Sequence, residues 1–295
     1  MVLLLNLHLV ETGSKDIKNL YLQKDNNLDV NRFKQCHSTF LLKNDGLSFI
    51  IYDISKKNIL GFSEHSWNKD STAEDIINRL EQIFLEFEFN FDDGLSNSWY
   101  ISSPKMCFSP LELFEENMGE KILALSSRVN SKEIVRNETW TKHHIVCSYA
   151  LPKILDEWLS FNFPHSEINH HSLASIQLFN HYPQYGTYIH LHIEKDYADL
   201  LICQDGRITL FNQFSFKVEE DLLYYLLFAF EQHRILAPEV EVFISGVLKT
   251  DNRFYDLLSN YVGKAKKVEL PKSMKVSPAV RTESLIRSFS LLGSL

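Results

Sequence analysis

The chain has 295 residues, 44% of them hydrophobic and 23% charged, with 21 Phe and 12 Tyr. That mixture excludes a disordered or low-complexity chain and suffices for one large or two ordinary domains. A formal charge of −8 offers no basic face for a nucleic-acid backbone, so no nucleic-acid partner is expected.

The four cysteines, Cys36, Cys107, Cys147 and Cys203, form no CxxC pair and sit in apolar, strand-like contexts. They are expected to be buried free thiols of a reducing compartment, not a zinc site or a disulfide framework. The opening MVLLLNLHLVETG holds an apolar run too short to span a bilayer. It lacks a basic region before the run and a small-residue cleavage site after it. Residues 1–34 are assigned to an N-terminal extension. Its apolar run is an added strand, a poorly ordered extension or upstream sequence, and 11–32 a polar loop with a short helical piece. No other segment reaches transmembrane length, and a soluble cytoplasmic protein is expected.

From Cys36 the pattern becomes regular. Strands are expected at 36–42, 47–54 and 59–67, joined by Asn44-Asp45-Gly46 and Ser55-Lys56-Lys57-Asn58, which makes an antiparallel meander. A helix follows from a capping box at Ser71 to Glu74, with Ile76, Ile77, Leu80, Ile83, Phe84 and Phe87 at helical spacing, and ends before Asp92-Asp93-Gly94. Residues 95–142 read as an inserted subdomain. Short strands are expected there at Trp99–Ser102 and Met106–Phe108, a helical run from Pro110, and strand-like patches over 120–140.

Regularity returns with a strand at His144–Ala150 and a helix led by Pro152. A strand at Glu167–His170, a helix at Ser172–Phe179 and the loop His181-Tyr182-Pro183 complete the first half. The second half opens with three strands between Thr187 and Phe216. Ile189, Leu191 and Ile193 face one way, Tyr188, His190 and His192 the other, and Asp205-Gly206 turns the second hairpin. The helix from Glu219 is apolar on nearly every side and is expected between layers. Val240–Ile244 reads as a strand covered on both faces. A helix at Phe254–Tyr261, a strand at Lys267–Leu270 and a terminal helix at Thr282–Leu292 follow, with Lys264–Lys267 a solvated basic loop.

The order β-β-β-α-β-α-β-α thus occurs twice, and two fused α/β domains are expected, 35–183 and 184–295, each a mixed sheet flanked by helices. This order resembles the ribonuclease H-like unit, and two in tandem resemble the actin-like ATPase superfamily. His144–Phe179, and 189–216 followed by 240–246, resemble in layout the pilus-assembly M and type II secretion L proteins. The whole pattern, with SSPKMCFSPLELFEE in the insertion, looks most like an uncharacterised bacterial family, a domain of unknown function with an actin-like fold.

The resemblance implies a nucleotide site on two hairpin turns that open with Asp-x-Gly and on a strand ending in paired glycines. Here the first turn is Lys43-Asn44-Asp45-Gly46. In the second hairpin His192 stands where the family has Asp and Glu194 where it has Gly, with Asp196 beyond. The adenosine-side strand reads Ile244-Ser245-Gly246-Val247, with one Gly. Asp45, Gly46, His192, Glu194, Asp196, Ser245 and Gly246 are therefore expected to be vestigial cleft positions. A Glu beside a phosphate is crowded and repulsive.

No metal is expected. His190-x-His192 shares a strand face but no third ligand is placed, and His143-His144 and His170-His171 are adjacent on strands and point apart. Trp99, Tyr100, Met106, Phe108 and Phe114 form either the insertion's own core or a partner surface. The expected protein is a non-catalytic binding or scaffold protein without a cofactor, holding a protein partner in its cleft or on 95–142. The alternative is an ATPase or sugar-kinase-like enzyme using ATP and magnesium in the cleft.

Overall fold

The computed structural model describes residues 18–25, 28, 35–86, 96–115, 117–180, 185–247, 253–272 and 274–295. The opening apolar run, Asp92-Asp93-Gly94 and the 181–183 loop lie outside the described residues.

The first hairpins form where the turn residues put them. Strands β2 (Cys36–Lys43), β3 (Gly46–Asp53) and β4 (Asn58–Ser66) pair antiparallel in sequence. Lys43 pairs with Gly46, leaving Asn44-Asp45 as a two-residue link. Between β3 and β4, Asp53 Oδ1 accepts from Ser55 Oγ at 2.7 Å and from Lys56 N at 3.0 Å, fixing the turn. Helix α1 (Ala73–Glu86) starts one residue later than expected. Thr72 Oγ1 accepts from Asp75 N at 3.2 Å and Asp75 Oδ2 from Thr72 N at 3.0 Å, so the reciprocal cap is Thr72/Asp75. Its stripe Ile76, Leu80 and Ile83 is buried in the cluster that holds Phe40, Phe49 and Trp99, each side chain contributing about 2 kcal/mol.

Two strands exchange the roles expected of them. β5 (Ser96–Ile101), assigned by pattern to the insertion, runs parallel beside β2, and β9 (Glu167–His170) runs parallel beside β5. β8 (Ile145–Pro152), expected in the main sheet, is instead the centre of a small antiparallel sheet between β6 (Met106–Pro110) and β7 (Glu133–Trp140). Trp99–Ile101 of β5 and most of β8 are buried and apolar, and alternation does not say which sheet a strand joins. Helix α2 (Met118–Ser126) packs on this small sheet, where strand-like patches were expected. The Pro110 run is a three-residue 3₁₀ turn. Helix α3 (Lys153–Asn162) follows Pro152 and leads to β9.

The first large sheet has the order β1-β4-β3-β2-β5-β9. β1 (Lys18–Lys24), expected as polar loop and helix, pairs with the outer edge of β4. The demand of an open sheet edge overrides local preference there. A short strand β15 (Lys275–Val276) lies parallel to the start of β4.

The second sheet is built from β10 (Thr187–Ile193), β11 (Tyr197–Gln204), β12 (Arg207–Ser215), β13 (Glu241–Gly246) and β14 (Lys264–Lys267), ordered β12-β11-β10-β13-β14. The first three pair antiparallel, and β10, β13 and β14 run parallel. That is the path β4-β3-β2-β5-β9 repeated. Asp205 (φ 47°) and Gly206 (φ 76°) form the left-handed two-residue turn of the β11–β12 hairpin. β14 falls on the Lys264–Lys267 run read as a loop, with Lys266 Nζ held 2.7 Å from Glu241 Oε2.

Helices α5 (Glu219–Gln232) and α6 (Arg253–Ser259) cover one face of this sheet. Ile189, Leu191, Ile193, Leu222, Leu226 and Phe230 form that core. α5 is not buried between layers: Tyr224 is 63% and Phe228 49% exposed on its outer side. The other face meets α4 (His171–Phe179) and a 3₁₀ segment, Phe289–Ser294, which follows the short α7 (Thr282–Arg287) in place of one long terminal helix. Phe179 lies 4.9 Å from Tyr188 and Phe289 5.3 Å from His190, centroid to centroid. Ala174, Leu178, Phe289, Leu291 and Leu292 also pack on Leu41, Ile50 and Tyr100 of the first sheet. α4 and the 3₁₀ segment are therefore the filling between the two sheets.

Candidate functional site

The β2–β3 turn, the β10–β11 turn and the end of β13 converge at one end of the sheets. The first turn is braced by Trp67, whose backbone N–H donates to Asp45 O at 2.8 Å and whose indole Nε1 donates to Asn44 O at 2.9 Å. Gly46 is needed for packing, because a Cβ there would fall 2.4 Å from His65 O. In the second turn Glu194 N donates to Tyr197 O at 2.9 Å, closing the link Glu194-Lys195-Asp196 onto β11. Its side chain points to the first lobe, where Glu194 Oε1 accepts from Lys43 Nζ at 2.9 Å. Both side chains are about nine-tenths buried. A second cross-link, Lys69 Nζ to Asp196 Oδ2 at 2.9 Å, is exposed.

Burial alone would push the Glu194 carboxyl up, but the Lys43 ammonium and then His192 outweigh it and hold it at about 2. Burial opposes the charge on Lys43 too, yet Glu194 holds its pKa above the ordinary lysine value. The pair is ionised on both sides. Asp45 and Glu64 sense the same lysine, but burial dominates at each and pushes both carboxyls up.

Behind Glu194 the network continues inward. His192 Nε2 lies 3.3 Å from Glu194 Oε1, and its Nδ1 lies 2.7 Å from Ser245 Oγ. His190 Nε2 lies 2.8 Å from the same hydroxyl. Burial, then the neighbouring His192, pushes His190 down to about 3, so it is neutral. Asp199, beside His192 on β11, is 2.9 Å from both His171 Nε2 and Gln213 Nε2. Its burial favours the neutral acid, but His171 wins and lowers its pKa.

Gly246 ends β13 with φ 97°, and a Cβ there would lie 2.0 Å from Ile193 O. The remaining glycine is thus required by close approach of β13 to β10, where Val247 N donates to Ile193 O at 2.6 Å. Val247 beyond it is 42% exposed.

All seven residues singled out in the sequence, Asp45, Gly46, His192, Glu194, Asp196, Ser245 and Gly246, belong to this region. Lys69, Asp199 and Gln213 are not singled out by the sequence, Lys43 enters there only as the start of a turn, and His171 only as half of a histidine pair. Asp199 alone left a trace, a carboxylate in the otherwise apolar Tyr197-Ala198-Asp199-Leu200-Leu201-Ile202. The other histidines are not strand pairs: His143 sits in a 3₁₀ turn, His144 takes a left-handed conformation, and His170 caps α4 through Ser172. Among the described residues no group of three His, Cys, Asp or Glu side chains could hold a metal ion. Trp99 and Tyr100 are core residues of the first sheet, while Met106 and Phe108 pack against its cluster.

At the other end of the first sheet an open groove of about 1280 Å³ is lined by His37, Tyr100, Trp140, His143, Phe163 and Gln177, among others. The turn between β7 and β8 supplies one wall. Among the described residues no helix is long and apolar enough to cross a membrane.

A β12-β11-β10-β13-β14 path that repeats β4-β3-β2-β5-β9, with its two hairpin turns joined by an ion pair, is the actin-like ATPase fold. The chain resembles a Bacteroides thetaiotaomicron protein with an actin-like ATPase fold and unknown function at 23% identity and a TM-score of 0.72, over 90% of this chain and 98% of that one. It also resembles a chain of a PilM–PilN type IV pilus biogenesis complex at 11% identity and a TM-score of 0.62, over 89% of this chain and 97% of that one. The protein belongs to the family described as "Protein of unknown function (DUF3822)", whose model matches residues 25–264. No curated protein matches the sequence.

Proposed function

We propose that this protein is a non-catalytic scaffold, an actin-like fold whose cleft no longer cradles a nucleotide and which serves a protein partner. The observation that carries the reading is the Lys43–Glu194 ion pair, 2.9 Å long and buried, which ties together the two turns that would have to part around phosphates. Glu194 brings a side chain and a charge to a position that needs neither, and Asp45 and Asp196 add further negative charge around it. On this reading Asp45, Gly46, His192, Glu194, Asp196, Ser245 and Gly246 are remnants of a cradle, and residues 35–183 and 184–295 act as two lobes held in one arrangement. The neighbour in the PilM–PilN complex is itself one member of a protein pair, which supports a partner. The groove walled by Trp140–His143 is the surface we assign to it.

The test is thermal melting with ATP or ADP and magnesium. Tm is expected to stay within about 1 °C at millimolar nucleotide. A magnesium-dependent rise of several degrees would replace the scaffold with an ATPase or a sugar-kinase-like enzyme.

A further inference from the structure

The cleft is closed by a particular chemistry, a carboxylate on an ammonium, and that chemistry is also how proteins hold a small oxyanion. We infer that Glu194 is a tethered anion: its carboxylate occupies an oxyanion site built by Lys43 and His192, and so takes the part of a bound ligand in bridging the two lobes. This rests on the non-catalytic reading and deepens it, because the cleft is then filled and not merely eroded.

The geometry has the parts an oxyanion site needs. Lys43 Nζ stands 2.9 Å and His192 Nε2 3.3 Å from one and the same oxygen, Glu194 Oε1. All three side chains are nearly inaccessible to water, with Lys43 the most exposed at 10%. The imidazole is aimed by Ser245 Oγ, 2.7 Å from its other nitrogen, and Ser245 is in turn fixed by His190 at 2.8 Å. Lys43 belongs to the first sheet and His192 to the second. Whatever sits between them must join the lobes. Asp45 and Glu64 also lie within electrostatic reach of Lys43. They would oppose a highly charged group, so the site fits a compact singly or doubly charged oxyanion such as a carboxylate or inorganic phosphate, and disfavours a triphosphate.

A tethered ligand has a large effective concentration and cannot diffuse away. The lobes would therefore stand permanently in the liganded arrangement, independent of any nucleotide pool. Cutting the tether should uncover the site. Glu194→Ala leaves Lys43 and His192 buried without their anion, and an anion from solution can then take the vacancy.

The experiment is chemical rescue. Wild type, Glu194→Ala and the double variant Lys43→Met/Glu194→Ala are melted in potassium acetate, inorganic phosphate and, at matched ionic strength, potassium chloride. Glu194→Ala is expected to melt lower than wild type in chloride and to recover about 3–6 °C, saturably, in tens of millimolar acetate or phosphate. Wild type and the double variant should show no saturable gain. A folded Glu194→Ala that responds to acetate and phosphate no differently from chloride overturns the inference. If Glu194→Ala does not fold, the anions are added during refolding; recovery of folded protein supports the site, and none overturns it. ATP binding by wild type would sink the scaffold reading, whereas failed rescue would sink the tethered anion alone.

Discussion

Two glutamates, the buried Glu194 and the part-buried Glu138, respond to pH in opposite directions. Glu194 is held at about 2 in the fold, against the ordinary 4.5. Its contribution to stability is present above the unfolded value and is lost as pH falls from about 4.5 through 2. On β7, Glu138 Oε2 accepts from His170 N at 3.0 Å, and the Tyr149 and Trp140 side chains also favour its charged form. Burial there dominates and pushes the carboxyl up to about 7. Its folded pKa lies above its unfolded one, so ionisation costs stability as pH rises from about 4.5 through 7. Glu138→Gln is therefore expected to match wild type at pH 4 and to exceed it by up to about 3 kcal/mol at pH 8, measured by urea unfolding at both pH values. Equal stability at pH 8 would mean that the carboxylate is solvated after all. At this scale the sequence revealed the intruder but not its partner. Glu194 stood out as a charged side chain in a turn that wants glycine. Lys43 did not, since the lysine ending an apolar strand resembles any solvated strand end, and the two are 151 positions apart.

At the scale of elements, turns were more legible than sheet membership. Asn44-Asp45-Gly46 and Asp205-Gly206 announce hairpins because they relieve a local steric conflict that side chains in the same few residues reveal. Nothing local tells which sheet Trp99–Ile101 or Ile145–Pro152 will join, since both are short buried apolar runs. Which of them enters the large sheet depends on whether its neighbour is β2 or the pair β6 and β7. The outer side of α5 differs from the expectation for a related reason: Phe228 is as apolar as the core residues, yet it stacks on Tyr224, 6.1 Å away, on the outer side. The junction of β13 with β10 yields a prediction of its own. Gly246→Ala puts a methyl where Ile193 O stands and a side chain on a left-handed backbone. A loss of about 3 kcal/mol or more is expected in urea melts. A loss under about 1 kcal/mol would show that β13 can draw back from β10 at little cost.

At the scale of the whole molecule, the duplicated strand order was legible and the filling between the sheets was not. The repeat follows from the succession of hydrophobic patterns, whereas the filling depends on distant contacts. The 3₁₀ segment with Phe289, Leu291 and Leu292 packs on α4 between two sheets that the sequence pattern assigns to separate domains. If the halves were independent, residues 184–295 alone would fold. They are expected not to, because that fragment would leave the face of Tyr188 and His190 without Phe179 and would carry Phe289, Leu291 and Leu292 with no first sheet to cover. Circular dichroism and proteolysis of the isolated fragment check this. A cooperative melt within about 5 °C of the intact protein would show that the lobes are autonomous.

The strand β1 and the segment after β15 have a consequence for how the chain acquires its shape. Gln23 Nε2 donates to Ser284 Oγ at 3.0 Å and Ser277 Oγ to Asp25 Oδ2 at 2.9 Å, linking positions more than 250 residues apart. Contacts this remote in sequence close the largest loops and form late and slowly. During synthesis the face of the first sheet with Leu41, Ile50 and Phe62 has only Ala174 and Leu178 of α4 to cover it until residues near 289 emerge from the ribosome. Chaperone dependence should therefore reside in the first half of the chain, although the stretch that ends it lies in the second.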